Sequence, residues 1–452
     1  MHQFVSVTSD ERTAVDSRPV QRLRHIAQLG MSSLVYPGAT HRRFEHSLGV
    51  MELAGQAFDV LVAPDNLTEQ VRGVVRELSP QLRDTAPYWR TVVRIAALCH
   101  DVGHPPFSHA AEHDILPDGT THETLSEKVI VGEEMAGLLR AMVPPIAPSL
   151  VAKLAVGADK TSFGPLSVWE SLLSEIITGD AFGVDRMDYL LRDSLHTGVA
   201  YGRFDQHRLI QTLRLMPPAG SQGPGDDDDS QAPAIGVERG GLQAAESLSL
   251  ARYFMFSQVY FHPIRVIYDL HLIDFLRAWL PGGKYGANLA DHLGMTDNEV
   301  LSGMRKAAGD PGRPGHDPAV RILERKHYKR LYERSAADLD LCPEPGLAVR
   351  DWAVREYGEA AVKHKASRKG GGQLDFPVRE RSGRTVSSLS ISDTLRQLPP
   401  ASGEYVFLRP DLLSDASKKL AREFRSILAA WSLDGEDDLQ TDDHTSDDGT
   451  TR

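Results

Sequence analysis

The chain has 452 residues, 41% of them hydrophobic and 25% charged, and a formal net charge of −12; the length suits one large folded domain or two modest ones. No run of about 18 uninterrupted apolar residues occurs, the start Met1-His2-Gln3-Phe4 lacks the charged and apolar stretches of an export signal, and two cysteines cannot build a disulfide framework. These features argue against a membrane-spanning or disulfide-stapled protein and lead to the expectation of a cytoplasmic one. Much of the acidity is local, in Asp226–Asp229 and in the tail after Asp434. The remaining body is near neutral, so global charge offers no argument for nucleic-acid binding.

In chain order, Leu23, Ile26 and Ala27 have helical spacing and predict a helix over 21–29. Phe44, Leu48, Met51, Gly55 and Phe58 line one face of the next helix, with His46 in its first turns and off that face. Residues 89–100 are strongly apolar and predict a buried central helix, within which Cys99 reads as a structural thiol. Pro105-Pro106 ends regular helix there. Two more helices are predicted over 168–178 and 185–194, and a long aromatic-rich helical region over 242–280, interrupted at Pro263. Residues 217–231 read as a flexible, solvated acidic loop. From Pro281 glycines punctuate the chain, and β-like runs appear at 373–378 and 405–408. The expected fold is mainly α: a helical core over 1–280, a smaller α+β C-terminal lobe over 281–432, and a disordered acidic tail over 433–452.

The chemistry-bearing segment is His100-Asp101-Val102-Gly103-His104-Pro105-Pro106-Phe107-Ser108-His109. Neighbouring side chains on a helix point about 100° apart, so His100 and Asp101 grip one ion only from its rim. The other ligands must come from other helices. His46 and Asp185 are the candidates, because each is a polar residue at the edge of an otherwise apolar helical pattern. Imidazole suits transition metals and carboxylate suits magnesium and manganese, and four ligands leave room for water and a phosphate oxygen. A second set, His104, His109, Glu112, His122 and Glu123, offers proton donors and oriented His–Glu pairs.

Seven segments, in order, resemble the HD-domain phosphohydrolase superfamily: QRLRHIAQLG at 21–30, YPGATHRRFEHSLGV at 36–50, HDVGHPPFSH at 100–109, THE at 121–123, VDRMDYLLRDSLHTGV at 184–199, ARYFMFSQVYFHPIR at 251–265 and DPAVRILERKHYKRLYE at 317–333. Within that superfamily they look like the deoxynucleotide triphosphohydrolases related to the vertebrate sterile-alpha-motif and HD-domain enzyme. The resemblance implies an HD-domain helical core with His46, His100, Asp101 and Asp185 as ligands of one divalent ion (magnesium, manganese or iron), and further magnesium travelling with a triphosphate. It also implies a catalytic group of His104, His109, Glu112, His122 and Glu123 around the α-phosphate. Arg43 and Arg186 would contact phosphate, Gln28 and Leu29 the sugar, and Tyr189 and Asp193 the deoxyribose pocket. Val259 stands where the family carries a basic phosphate contact, with His262 and Arg265 as substitutes. Asp16, Gln21 and Arg24 match positions that read an activating guanine nucleotide, although the basic stretch that precedes them in the family has no match. The implied reaction is hydrolysis of a dNTP to deoxynucleoside and inorganic triphosphate, by a homo-oligomer (dimer or tetramer), with no membrane and no nucleic acid required, in nucleotide-pool control or phage defence. Two other readings stand beside it: another HD phosphohydrolase (a phosphodiesterase or nucleotidase) and a non-catalytic nucleotide sensor.

Overall fold

The computed structural model describes residues 4–75, 82–110, 112–216, 233–286, 288–368 and 374–440. Helix α1 (Arg43–Leu61) lies against α2 (Leu82–Cys99), and both bury nearly continuous apolar surface. Phe44, Val50, Met51, Leu53, Ala54 and Phe58 meet Val92, Val93, Ile95 and Leu98 in the largest core cluster. Each large aliphatic side chain buried there stabilises the fold by about 1.5–3 kcal/mol. Arg94 is buried in the same helix because Glu11, 2.6 Å away, and Glu52, 3.1 Å away, neutralise it. That pairing ties the N-terminal segment to the core.

Around this pair pack α3 (His122–Val131), α4 (Pro148–Val156), α5 (Val168–Thr178) and α6 (Val184–Thr197). Helix α5 begins at a capping box in which Ser167 accepts from the Glu170 N–H. Two glycines set the spacing at the site. A Cβ on Gly49 would lie 2.0 Å from Asp188 Oδ1, so glycine lets α1 and α6 touch. A Cβ on Gly103 would lie 2.2 Å from the Ser126 backbone N, so glycine lets the loop after α2 rest on the first turns of α3.

The predicted helix at 21–29 is corrected. Regular helix spans only Arg18–Arg22, a 3-10 turn follows at Leu23–His25, and the chain then extends so that Ala27 bridges Arg42. Tertiary hydrogen bonds to the Ala27 and Gln28 N–H groups outweigh the helical spacing there. The 242–280 region divides into α7 (Leu242–Met255), a π-turn at Phe256–Tyr260 and α8 (Pro263–Trp279), with Pro263 as first helical residue.

The acidic loop at 217–231 lies outside the described residues. Its flanks form β1 (Leu213–Met216) and β2 (Ala234–Glu238), an antiparallel pair within a region read as helix. After α8 come α9 (Asp297–Ala308), β3 (Lys329–Glu333), α10 (Pro345–Tyr357), β4 (Val362–Arg368), β5 (Pro377–Arg379), β6 (Thr385–Ser387), β7 (Ser402–Leu408) and α11 (Leu413–Gln440). One sheet has the order β1-β2-β5-β6 and the other β3-β7-β4. The first therefore takes strands from both sides of the expected boundary at 280, and Phe376, Val378 and Leu395 join the main core. The second sheet, with α10 and α11, has its own apolar cluster around Trp352, Val406 and Leu428. Helix α11 runs past position 433, where the tail was expected to begin, and 441–452 lie outside the described residues. No helix among the described residues is long and apolar enough to cross a membrane.

Candidate metal centre and catalytic cavity

His46 leaves the first turns of α1, His100 and Asp101 follow the end of α2, and Asp185 lies in the first turn of α6. The fold brings the four together. His46 Nε2 is 3.1 Å from Asp185 Oδ1, His100 Nε2 is 3.5 Å from the same oxygen, and one ligand atom from each of these three residues lies within 4.8 Å of the others. Asp101 closes the group, with Oδ1 3.4 Å from His100 Nε2 and Oδ2 3.6 Å from His46 Nε2.

Both imidazoles are fixed in one tautomer. His46 Nδ1–H donates to Asp188 Oδ2 at 2.8 Å, and His100 Nδ1–H donates to the Ala97 carbonyl at 2.7 Å. Asp188 is itself held by Arg192, 2.7 Å away. With Nδ1–H committed on each ring, Nε2 is the atom that faces the two carboxylates, the pattern by which outer partners orient metal-binding histidines. His100 Nε2 is buried and has no hydrogen-bond partner. Two aimed nitrogens and two carboxylates form a donor set that fits a divalent cation. Without an ion, burial pushes the His46 imidazole down, but Asp185 and Asp188 outweigh it and hold the group at about 10. Burial likewise opposes ionisation of Asp101, while Arg43, His100 and His104 win and keep it well below the usual carboxylate range.

Beside this group sits the second one. Glu112 accepts from His109 Nδ1 at 2.9 Å and from His122 Nδ1 at 2.6 Å, and it also takes the His122 backbone N–H at 2.8 Å. The His104 ring lies 4.0 Å from the His122 ring, centre to centre, and 4.7 Å from that of His109. Burial, with Arg43 next, drives the His104 imidazole well below its ordinary value. Glu123 lines the cavity beside both groups, 2.5 Å from Lys160 Nζ and 3.3 Å from His122 Nδ1.

The connecting turn is strained: Phe107 and Ser108 both have φ of 59°, which costs about 1–3 kcal/mol for each non-glycine residue. Ser108 Oγ accepts from Arg43 Nε at 2.7 Å, and the Arg43 guanidinium pairs with Asp101.

Both groups open on a cavity of about 640 Å³. Of the residues expected to bind substrate, Gln28, Leu29, Arg43, Arg186, Tyr189, Asp193 and Arg265 line it. Asp193 is held by His41 Nε2 at 2.8 Å and Tyr260 Oη at 2.7 Å. His262 is corrected: it is not among the lining residues, but caps α8 through Nδ1 and lies edge-on to Tyr36. Asp16, Gln21 and Arg24 also lie outside the cavity. Gln21 Nε2 reaches the Val15 carbonyl at 2.8 Å, Arg24 Nε donates to Gln21 Oε1 at 2.7 Å, and the Arg24 guanidinium stacks 3.5 Å from the Phe44 ring centre.

Sequence reasoning missed Lys160, Lys365, Tyr260 and Asp269 as lining residues, and Asp188 as the residue that orients His46. Asp188 carried a signal, since it stands three residues after Asp185 and shares its helix face. Lys365 carried none: it arrives from β4, 180 residues after Asp185.

An adjacent His-Asp pair completed by one histidine and one aspartate from separate helices defines an HD domain. The HD domain family model matches residues 43–192, and a model described as HD associated region matches 204–399. The uncharacterized protein MJ1154 of Methanocaldococcus jannaschii is 34% identical over 269 residues, 60% of this chain and 46% of that protein. The deoxynucleoside triphosphate triphosphohydrolase SAMHD1 of Danio rerio is 33% identical over 222 residues, 44% of this chain and 33% of that protein. The chain thus spans half or less of these curated relatives. A hypothetical protein from Aquifex aeolicus, of known crystal structure, superposes with a TM-score of 0.73 at 30% identity, covering 92% of this chain and 97% of that one. The chain belongs to the family of HD-domain proteins that carry an HD-associated region.

Proposed function

We propose that this HD-domain protein is a metal-dependent phosphohydrolase that cleaves deoxynucleoside triphosphates into deoxynucleoside and inorganic triphosphate. One observation carries the reading. The His–Asp group, the His104–His109–His122 group and the expected sugar-binding residues Gln28, Leu29, Tyr189 and Asp193 line or adjoin one cavity. Among carboxylates the cavity also presents Arg43, Lys160, Arg186, Arg265 and Lys365, whose charged donors suit the oxygens of a triphosphate. The partial similarity to a protein named as a deoxynucleoside triphosphate triphosphohydrolase supports the same substrate class.

His46, His100, Asp101 and Asp185 would hold a divalent ion, which would supply a Lewis acid for the α-phosphate and lower the pKa of water. Arg43, fixed by Ser108 and Asp101, holds an α-phosphate oxygen over the site. Water attacks the α-phosphorus, the P–O5′ bond breaks, and the leaving 5′-oxygen needs a proton. His109 delivers it from Nε2, and Glu112, accepting from Nδ1–H, favours the protonated ring against the burial that lowers it. Asp193, braced by His41 and Tyr260, accepts the 3′-hydroxyl, and Tyr189 packs against the sugar face where a 2′-hydroxyl would crowd it.

The test is a product assay with manganese- or magnesium-loaded protein and each of the four dNTPs, with and without GTP, run beside ribonucleotides and cyclic nucleotides. Release of triphosphate and deoxynucleoside is expected. Monophosphate with pyrophosphate, or turnover of cyclic nucleotides alone, contradicts the reading. If GTP changes the rate, Asp16, Gln21 and Arg24 are the activator contacts to vary, and sedimentation shows whether a homo-oligomer forms with it.

A further inference from the structure

Asp297 lies outside the cavity and outside the segment matched to the HD domain, as the first residue of α9. Its side chain is 2% exposed, and both oxygens are committed. Oδ1 accepts the Phe107 N–H at 2.8 Å and Oδ2 accepts the Ala27 N–H at 2.7 Å, with Arg42 Nη1 3.2 Å away. These two amides bracket the strained turn. The Ser108 hydroxyl donates to the Ala27 carbonyl at 2.5 Å and accepts from Arg43, which pairs with Asp101. A second strut runs alongside: Arg22 donates to the His104 carbonyl at 2.9 Å and to the Met295 carbonyl at 2.8 Å.

We infer that Asp297 is a positioning residue through which the HD-associated region sets the catalytic loop. One buried carboxylate holds the 107–108 turn and the extended 26–28 segment at a fixed separation, so that Ser108 orients Arg43 and Arg43 orients Asp101. The turn has its own hydrogen bonds, Ser108 N–H to the Pro105 carbonyl at 3.0 Å and Ala110 N–H to the Phe107 carbonyl at 3.3 Å, but two consecutive residues at positive φ store strain that an outside partner at Phe107 offsets. A carboxylate that receives two backbone N–H groups supplies that partner, and at the first turn of α9 its charge also suits the helix dipole.

The inference rests on the proposed phosphohydrolase reading for its rate prediction only. Asp297→Asn keeps the size but turns an amide N–H₂ toward one of the two backbone N–H groups. The expected result is a fall of about 10–100-fold in kcat and in manganese affinity, the usual range for lost outer-shell partners, with a smaller rise in KM because only the Arg43 phosphate contact is disturbed and the sugar contacts stay. Ser108→Ala breaks the same chain one link later. The double variant is expected to lose no more than the worse single variant, as for residues acting in series. Hydrogen exchange at the Phe107 and Ala27 amides should accelerate in Asp297→Asn. Wild-type kcat and manganese affinity in a folded Asp297→Asn protein, additive losses in the double variant, or unchanged exchange at those amides would each overturn the inference. If the wild-type protein turns over no dNTP, the substrate reading fails by itself, while manganese affinity and exchange still decide the role of Asp297.

Discussion

The two histidine groups share one wall of the cavity, yet they are wired differently. In the first, His46 and His100 each give their Nδ1–H to an outside acceptor, Asp188 or the Ala97 carbonyl, and turn a bare Nε2 toward two carboxylates. In the second, His109 and His122 both lean on a single carboxylate, Glu112, and their free nitrogens face other rings and the cavity. The first is an excess of lone pairs and negative charge, which calls for a cation. The second is a set of rings able to take up and return protons beside an anion. Under the proposed function the difference gives electrostatic anchoring to one group and proton transfer to the other, although both are built from imidazoles and carboxylates.

Breaking the first group should have the largest effect. Asp101→Ala removes a ligand and the partner of Arg43, and a loss of about 3–4 kcal/mol of transition-state stabilisation, roughly 10²–10³-fold in kcat/KM, is expected together with loss of bound metal. Steady-state kinetics and metal analysis check both. His109→Ala separates the groups: a fall of about 10²-fold in kcat, the low end for a general acid, is expected with metal content unchanged. If that variant also loses its metal, the division of labour is wrong. Asp188→Ala leaves every ligand in place but frees the His46 ring, so metal affinity should drop about 10–100-fold while added metal restores most of the rate.

A carboxyl outside both groups sharpens the contrast at the small end. Burial pushes Glu175 up to about 7, opposed only by a backbone hydrogen bond. Its folded value lies above its unfolded one, so the folded state holds the proton more tightly. Stability is therefore full below the unfolded value and is lost as pH rises through about 7. Glu175→Gln should remove that decline, stabilising the protein at pH 8 relative to pH 5 by on the order of 1–2 kcal/mol, allowing for partial exposure. Thermal melts at the two pH values measure it. Asp101 and Asp185 are held down by their partners and should show the opposite dependence.

How far the sequence reaches follows the range of the interactions. His46, His100, Asp101 and Asp185 were readable because each interrupts an apolar helical pattern, and the helices that carry them form largely from their own periodicity. Residues 168–178 were read to the residue because Ser167 and Gly179 mark the ends. Residues 21–29 misled because the Ala27 and Gln28 N–H groups donate to the Asp297 carboxylate and the His41 carbonyl, both distant in sequence, and this pulls the chain into an extended form. Lys365 and Asp297 reach the site only by tertiary packing of the C-terminal half, and no local pattern announces that. His262 was named for its charge, and the structure uses it as a helix cap.

Manganese soaked into crystals of the protein gives the most direct test of the central claim. An anomalous difference peak is expected between His46 Nε2, His100 Nε2 and the carboxylates of Asp101 and Asp185, with no peak there in Asp101→Ala. A peak among His104, His109 and His122 instead, or none at the His–Asp group in the wild-type protein, would contradict it.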